Sequence, residues 1–152
     1  MLVGTIVNVR NGISIVVSLP ISFEALIDRF REQRGLTACH DGDFRCIFMS
    51  SNYFEEEIDY SFEEINDYAE EFREAEDEHS EAELKAFFEV RDYRCVYDID
   101  YCSFDSSESI ALEKLEEAYP ADFEVSLEEL KKEYLNDGYE ASNGIFIHFG
   151  GR

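Results

Sequence analysis

The chain of 152 residues has no tryptophan, two prolines, and only 13 Lys and Arg against 36 Asp and Glu, a formal charge of −23. So few bases argue against direct nucleic-acid binding. Duplex DNA presents one charge per ~1.7 Å of axis, and a protein that grips it must supply cations to displace condensed counterions. Without tryptophan there is no indole platform for a sugar, and acid pairs are too numerous for a glycosidase dyad to stand out. Long apolar runs are missing as well. The longest, Ile13 to Val17 and Ala86 to Phe88, fall far short of the ~20 residues of a membrane span, and no basic-then-apolar signal opens the chain. A cytosolic protein with no membrane partner is expected.

Catalytic patterns are equally scarce. Gly-rich phosphate loops are absent, and His40, His79 and His148 are scattered outside any metalloprotease or zinc-deaminase pattern. Asp98-Ile99-Asp100 opens like a calcium loop, but the sixth position is Ser103 instead of Gly and the twelfth is Ser109 instead of Glu. Cys39, Cys46, Cys95 and Cys102 form two pairs with the same seven-residue step, wider than the two to four residues usual in structural zinc sites. Cys46 and Cys95 lie in strand-like apolar runs, where a reduced thiol packs as a small hydrophobe. The expectation is no enzyme, no metal and no cofactor.

What the chain does contain is material for a core: 45% apolar residues, with 13 Phe and 9 Tyr, which acidic disordered tails lack. Its length suits one ordinary domain or two to three very small ones. Residues 2–19 alternate around Asn11-Gly12, a dipeptide suited to a tight hairpin with positive φ at both central positions. Ser22 can cap a helix that Gly35 ends, and a strand is predicted from Phe44 to Tyr53. Ser61-Phe62-Glu63-Glu64, Ser80 to Glu83, and Ser126-Leu127-Glu128-Glu129 are three capping boxes, each opening a helix. In the first, Phe62, Ile65, Tyr68, Ala69 and Phe72 define a buried stripe. A strand is predicted from Tyr93 to Tyr101, a helix from Ser107 to Tyr119 stopped by Pro120, and a last strand, Ile145 to Phe149, after Asn143-Gly144. Asp43 to Phe48 and Asp92 to Tyr97 match at an offset of 49 residues, a faint echo of a duplicated helix–strand–helix unit. The pattern predicts an α+β fold: two to three small modules in series, with an N-terminal β-hairpin and acidic helices, divided as 1–54, 55–105 and 106–152.

Charge is not spread evenly over these modules. Residues 1–54 balance five acids with five bases. Residues 55–83 hold fifteen acids and one base, Arg73, and residues 84–152 hold sixteen acids and seven bases. On the helix opened by Ser61, Glu63, Asp67, Glu70, Glu74 and Asp77 or Glu78 recur at steps of three and four, on the face opposite the aromatic stripe. Such carboxylates stand about 5–6 Å apart, a spacing on the scale of phosphates along a strand. Glu71 is expected to join them as a central charge and Glu64 to belong to the same acidic surface, and Glu55, Glu56, Glu57 and Asp59 are expected to extend the row. Glu113, Glu116 and Glu117 on one later helix, and Glu128, Glu129 and Glu133 on another, continue the pattern. Solubility alone needs less acid than this, and a halophile would be acidic throughout, whereas residues 1–54 are neutral.

Leu19-Pro20-Ile21-Ser22-Phe23-Glu24, Asp59-Tyr60-Ser61-Phe62-Glu63-Glu64-Ile65-Asn66 and Asn143-Gly144-Ile145-Phe146-Ile147 together resemble segments of the ArdA-type antirestriction proteins, in the family's order and across most of the chain. The resemblance implies an elongated, curved homodimer of three small α+β domains that imitates bent B-form DNA. Such a protein occupies the DNA groove of a bacterial defence enzyme, a type I restriction-modification system in the first instance. The neutral N-terminal module, or exposed aromatics such as Phe87 and Phe88, would supply a dimer surface free of mutual repulsion. The alternative is an acidic adaptor or immunity-type module that blocks a basic partner without DNA geometry. A small-molecule role would instead require a deep apolar pocket.

Overall fold

A computed structural model describes residues 1–34, 41–119 and 126–150, the side chains of Arg34 and Asp41 excepted. Gly35, Cys39, His40 and Pro120, whose roles were expected from the sequence, lie outside the described residues. The fold is α+β, with antiparallel sheets. The chain divides into two units, Met1–Asp77 and Glu78–Arg152. The boundary between them falls elsewhere than the divisions expected after residues 54 and 105. A break after residue 54 would separate antiparallel neighbours of one sheet, and a break after residue 105 falls inside the second unit.

The first unit is built from β1 (Leu2–Asn8), β2 (Ser14–Leu19), α1 (Phe23–Arg34), β3 (Phe44–Ser50), β4 (Glu55–Ser61) and α2 (Phe62–Glu78), the strands ordered β2-β1-β3-β4. Alternation sends Leu2, Ile6, Ile15, Val17, Leu19, Phe44, Cys46 and Met49 into the core, as period-two patterning requires of a sheet covered on one face. The hairpin forms, but not through a two-residue turn. Val7 pairs with Ser14, the Gly12 N–H bonds Asn8 O at 2.8 Å, and only Gly12 has positive φ, at 73°. Asn11 instead accepts the Ile13 N–H on Oδ1 at 2.9 Å.

Ser22 caps α1, its Oγ accepting the Ala25 N–H at 3.1 Å. Leu26 and Phe30, one turn apart, are buried, and the Phe30 ring lies 5.0 Å from that of Phe44. The α2 capping box closes in both directions: Ser61 Oγ accepts from Glu64 N at 3.1 Å, and Glu64 Oε1 accepts from Ser61 N at 3.0 Å. Ile65, Tyr68, Ala69, Phe72 and Ala75 are the buried stripe, with Phe72 against Phe54 at 5.8 Å.

The second unit contains α3 (Glu81–Val90), a 3-10 helix (Tyr93–Tyr101), β5 (Cys102–Asp105), α4 (Glu108–Ala118), α5 (Leu127–Asn136), β6 (Gly138–Glu140) and β7 (Phe146–Phe149), with strand order β5-β7-β6. Ser80 and Glu83 form the predicted reciprocal box, and Ser107 and Ser126 cap the next two helices. The strand expected over Tyr93 to Tyr101 is instead the 3-10 helix. Val96 and Ile99 bury there at a step of three, and Asp92 caps its start, so a period of three prevails over the aromatic and β-branched composition that suggested a strand. The echo with Asp43 to Phe48 therefore joins a strand to a helix, and the described residues hold no duplicated helix–strand–helix unit. Cys95 lies half-buried in the 3-10 helix. Cys46, Cys95 and Cys102 form no disulfide, and burial pushes the Cys46 and Cys102 thiols up to about 11.

Asn143-Gly144 turns the chain into β7 with Gly144 at φ 87°. At Gly138 a side chain is excluded, since a Cβ would come within 2.2 Å of the Phe146 ring. Phe87, expected to be exposed, is fully buried, and Phe88 is half-buried with its ring edge-on to Phe87. Phe87 therefore belongs to the core, with Phe88 packed on it. Among the described residues no helix is long and apolar enough to cross a membrane.

Candidate functional site

The site begins with α2, whose 17 residues make a rod about 25 Å long at 1.5 Å per residue. At 3.6 residues per turn, Glu63, Asp67, Glu70, Glu74, Asp77 and Glu78 fall within an arc about 100° wide, centred opposite Ile65, Tyr68 and Phe72. All six are exposed. Over the fifteen steps from Glu63 to Glu78 successive carboxylates average roughly 4.5 Å apart along the helix axis, against ~3.4 Å of axis per phosphate on one DNA strand. Glu64 is exposed and Glu71 half-buried at the margin of the arc.

Cations barely interrupt this face. Arg73 reaches Glu70 at 2.5 Å, and the N-terminal ammonium takes Glu76, which lies off the arc, at 2.6 Å. Among the described residues no ion pair engages Glu63, Asp67, Glu71, Glu74 or Asp77. The carboxyl of Glu64 is held below the ordinary glutamate value by the N–H and then the hydroxyl of Ser61, so it stays an anion while closing the cap.

The β4 acids are arranged differently from expectation. Glu56 pairs with the buried Met49 and turns half-buried toward the helix-covered side of the sheet. Glu55, Glu57 and Asp59 alternate with it and point to the opposite, uncovered side. They do not extend the α2 row. They form a second short row on the far face of the same sheet, where Arg45 binds Asp59 at 2.5 Å.

In the second unit Glu113, Glu116, Glu117, Glu128, Glu129 and Glu133 are all exposed, but bases stand among them. Lys131 reaches Glu116 at 3.3 Å, and a cleft is lined by Glu128 and Glu129 together with Lys131 and Lys132. Other carboxylates there hold structure. Glu89 accepts from Ser142 N at 3.0 Å, from Ser142 Oγ at 2.9 Å and from Tyr139 Oη at 3.4 Å, and the two Ser142 bonds hold its carboxyl below the ordinary value. Asp92 is likewise depressed by Arg94, and the buried Asp105 takes the ammonium of Lys114.

Asp98 and Asp100 sit on the 3-10 helix, so no calcium loop forms. His148 stacks on Tyr134 at 4.0 Å, and burial lowers its pKa. One grouping was not anticipated from the sequence: Glu78, His79 and Asp100 bring a ligand atom each to within 4.8 Å of one another. Twenty-one residues separate His79 from Asp100, and no local spacing signals such a contact. Comparison with known protein families, with curated proteins and with solved structures returns no match for this chain.

Proposed function

We propose that the protein is a non-enzymatic DNA mimic that occupies the DNA-binding groove of a bacterial defence enzyme. A type I restriction-modification enzyme is the favoured target, in keeping with the resemblance to ArdA-type antirestriction proteins. The single observation that carries this reading is the α2 face: six exposed carboxylates in one arc, at near-phosphate density, with one interposed base. Each like-charged pair at i,i+4 costs a helix ~0.2–0.5 kcal/mol, and the chain accepts several. Retaining a destabilising array is the behaviour of a functional surface, where stability is given up for activity.

A cationic groove would meet this face as it meets a strand of DNA. Binding would release the counterions condensed on the row, and rising salt would weaken it steeply. The protein would act in the host cytoplasm, without touching nucleic acid itself, as a homodimer whose contact avoids the acidic face.

The test is competition. Unrelated duplex DNA should displace the protein from its target, and the target's DNA binding should fall as the protein is added. A complex that duplex DNA cannot displace would reject mimicry and leave an acidic adaptor bound elsewhere.

A further inference from the structure

We propose that Glu78, His79 and Asp100 form a surface site for a divalent cation of the zinc class. This inference does not rest on the DNA-mimic reading. His79 and Asp100 come from different elements, the junction between α2 and α3 and the 3-10 helix, yet His79 Nε2 lies 3.4 Å from Asp100 Oδ1. That separation is long for a hydrogen bond to a carboxylate, which prefers about 2.7–2.9 Å when charge-assisted. It matches the edge of a zinc tetrahedron: ligands about 2.0–2.1 Å from the metal stand roughly 3.3 Å apart. Glu78 offers the third ligand atom, and all three lie within 4.8 Å of one another.

Three further features favour a cation at this place. The His79 ring packs against Phe104 at 5.4 Å with its side chain only 15% exposed, so its ring position is fixed before a ligand arrives. Glu78 is the last residue of α2, where unsatisfied carbonyls and the helix dipole present negative charge. Within the same unit, Glu81 and Glu83 add two more carboxylates and residues 78–83 hold no Lys or Arg, which raises the local concentration of counter-cations. One imidazole nitrogen and two carboxylate oxygens suit zinc better than calcium or magnesium, which take oxygen ligands. Three protein ligands leave a fourth position to water.

Zinc chloride titrated into the full chain under reducing conditions, followed by calorimetry and by the NMR signals of the His79 ring, tests the site. One equivalent should bind and shift those signals, and excess calcium should not displace it. His79→Ala should weaken binding by at least the roughly 10- to 100-fold that changes around a metal ligand cause. Asp100→Asn, which leaves the His79 ring in place on Phe104, should weaken it as well and guards against a folding defect in the first variant. The proposal is overturned if no zinc binds up to millimolar concentration. It is equally overturned if binding survives both substitutions, since cysteines or a diffuse acidic surface would then hold the metal.

Discussion

In α2, Glu63, Asp67, Glu74 and Asp77 stand in solvent with no cation of the described residues on them, whereas in the second unit Glu89, Asp92, Asp105 and Glu116 each end on a hydrogen-bond donor or an ammonium. The residue types are the same, and the surroundings are not. A carboxylate that accepts bonds from Ser142 or Lys114 is integral to the fold's own wiring, and its charge is largely used locally. Apart from Glu70, which Arg73 engages, and Glu63, which lies at the positive end of the helix dipole, a carboxylate in the α2 arc meets its own helix mainly as repulsion, and its field is directed outward. Net charge alone cannot separate these two populations, but the donors around each group do.

The comparison can be broken by neutralising each population in turn. Glu63→Gln, Asp67→Asn, Glu70→Gln and Glu74→Gln together should reduce inhibition of the target by at least about a hundredfold and lower the log–log salt slope by roughly 3 to 4. The melting temperature should hold or rise as repulsion is relieved. Full inhibition by this variant, measured in a DNA-cleavage assay, would show that the row is not the contact surface. Neutralising Glu89, Asp92 and Asp105 together should do the reverse, lowering the melting temperature by several degrees while leaving inhibition unchanged.

Smaller effects sharpen the same contrast. Ser80→Ala, which opens the α3 capping box, should cost about 1 kcal/mol in urea denaturation without altering the salt slope. The smallest effect expected is one of pH. Because Glu89 titrates below its ordinary value in the folded chain, its stabilising contribution is complete above that ordinary value of 4.5 and is lost as pH falls through the lower folded value. Thermal melts at neutral pH and in acid should therefore show a larger acid loss for the native protein than for Glu89→Gln.

The features of this architecture that are legible in the sequence are those written locally. Ser22, Ser61, Ser80, Ser107 and Ser126 announce their helices because a cap is decided within three or four residues, and the α2 stripe and row both follow from one period. β4 is not legible as a strand. Its Glu-Glu-Glu-Ile-Asp-Tyr-Ser run has little intrinsic strand preference, and it forms because β3 offers it a partner. The same dependence on a distant partner hides the separation of Glu55, Glu57 and Asp59 from the α2 row, since which side of a sheet a residue takes depends on register. Phe87 and Phe88 look like surface aromatics because tertiary burial leaves no mark in a short apolar run. The pairing of His79 with Asp100 depends wholly on how distant segments pack.

The place of β4 at the end of its sheet has a consequence for solubility. An outermost strand offers unpaired amides and carbonyls on which another molecule's strand could polymerise. Alternating acids along it set two such borders against each other as like poles. Glu55 and Glu57 thereby serve as gatekeepers against fibre growth, and a chain stripped of them would be expected to clump where the native one stays dispersed.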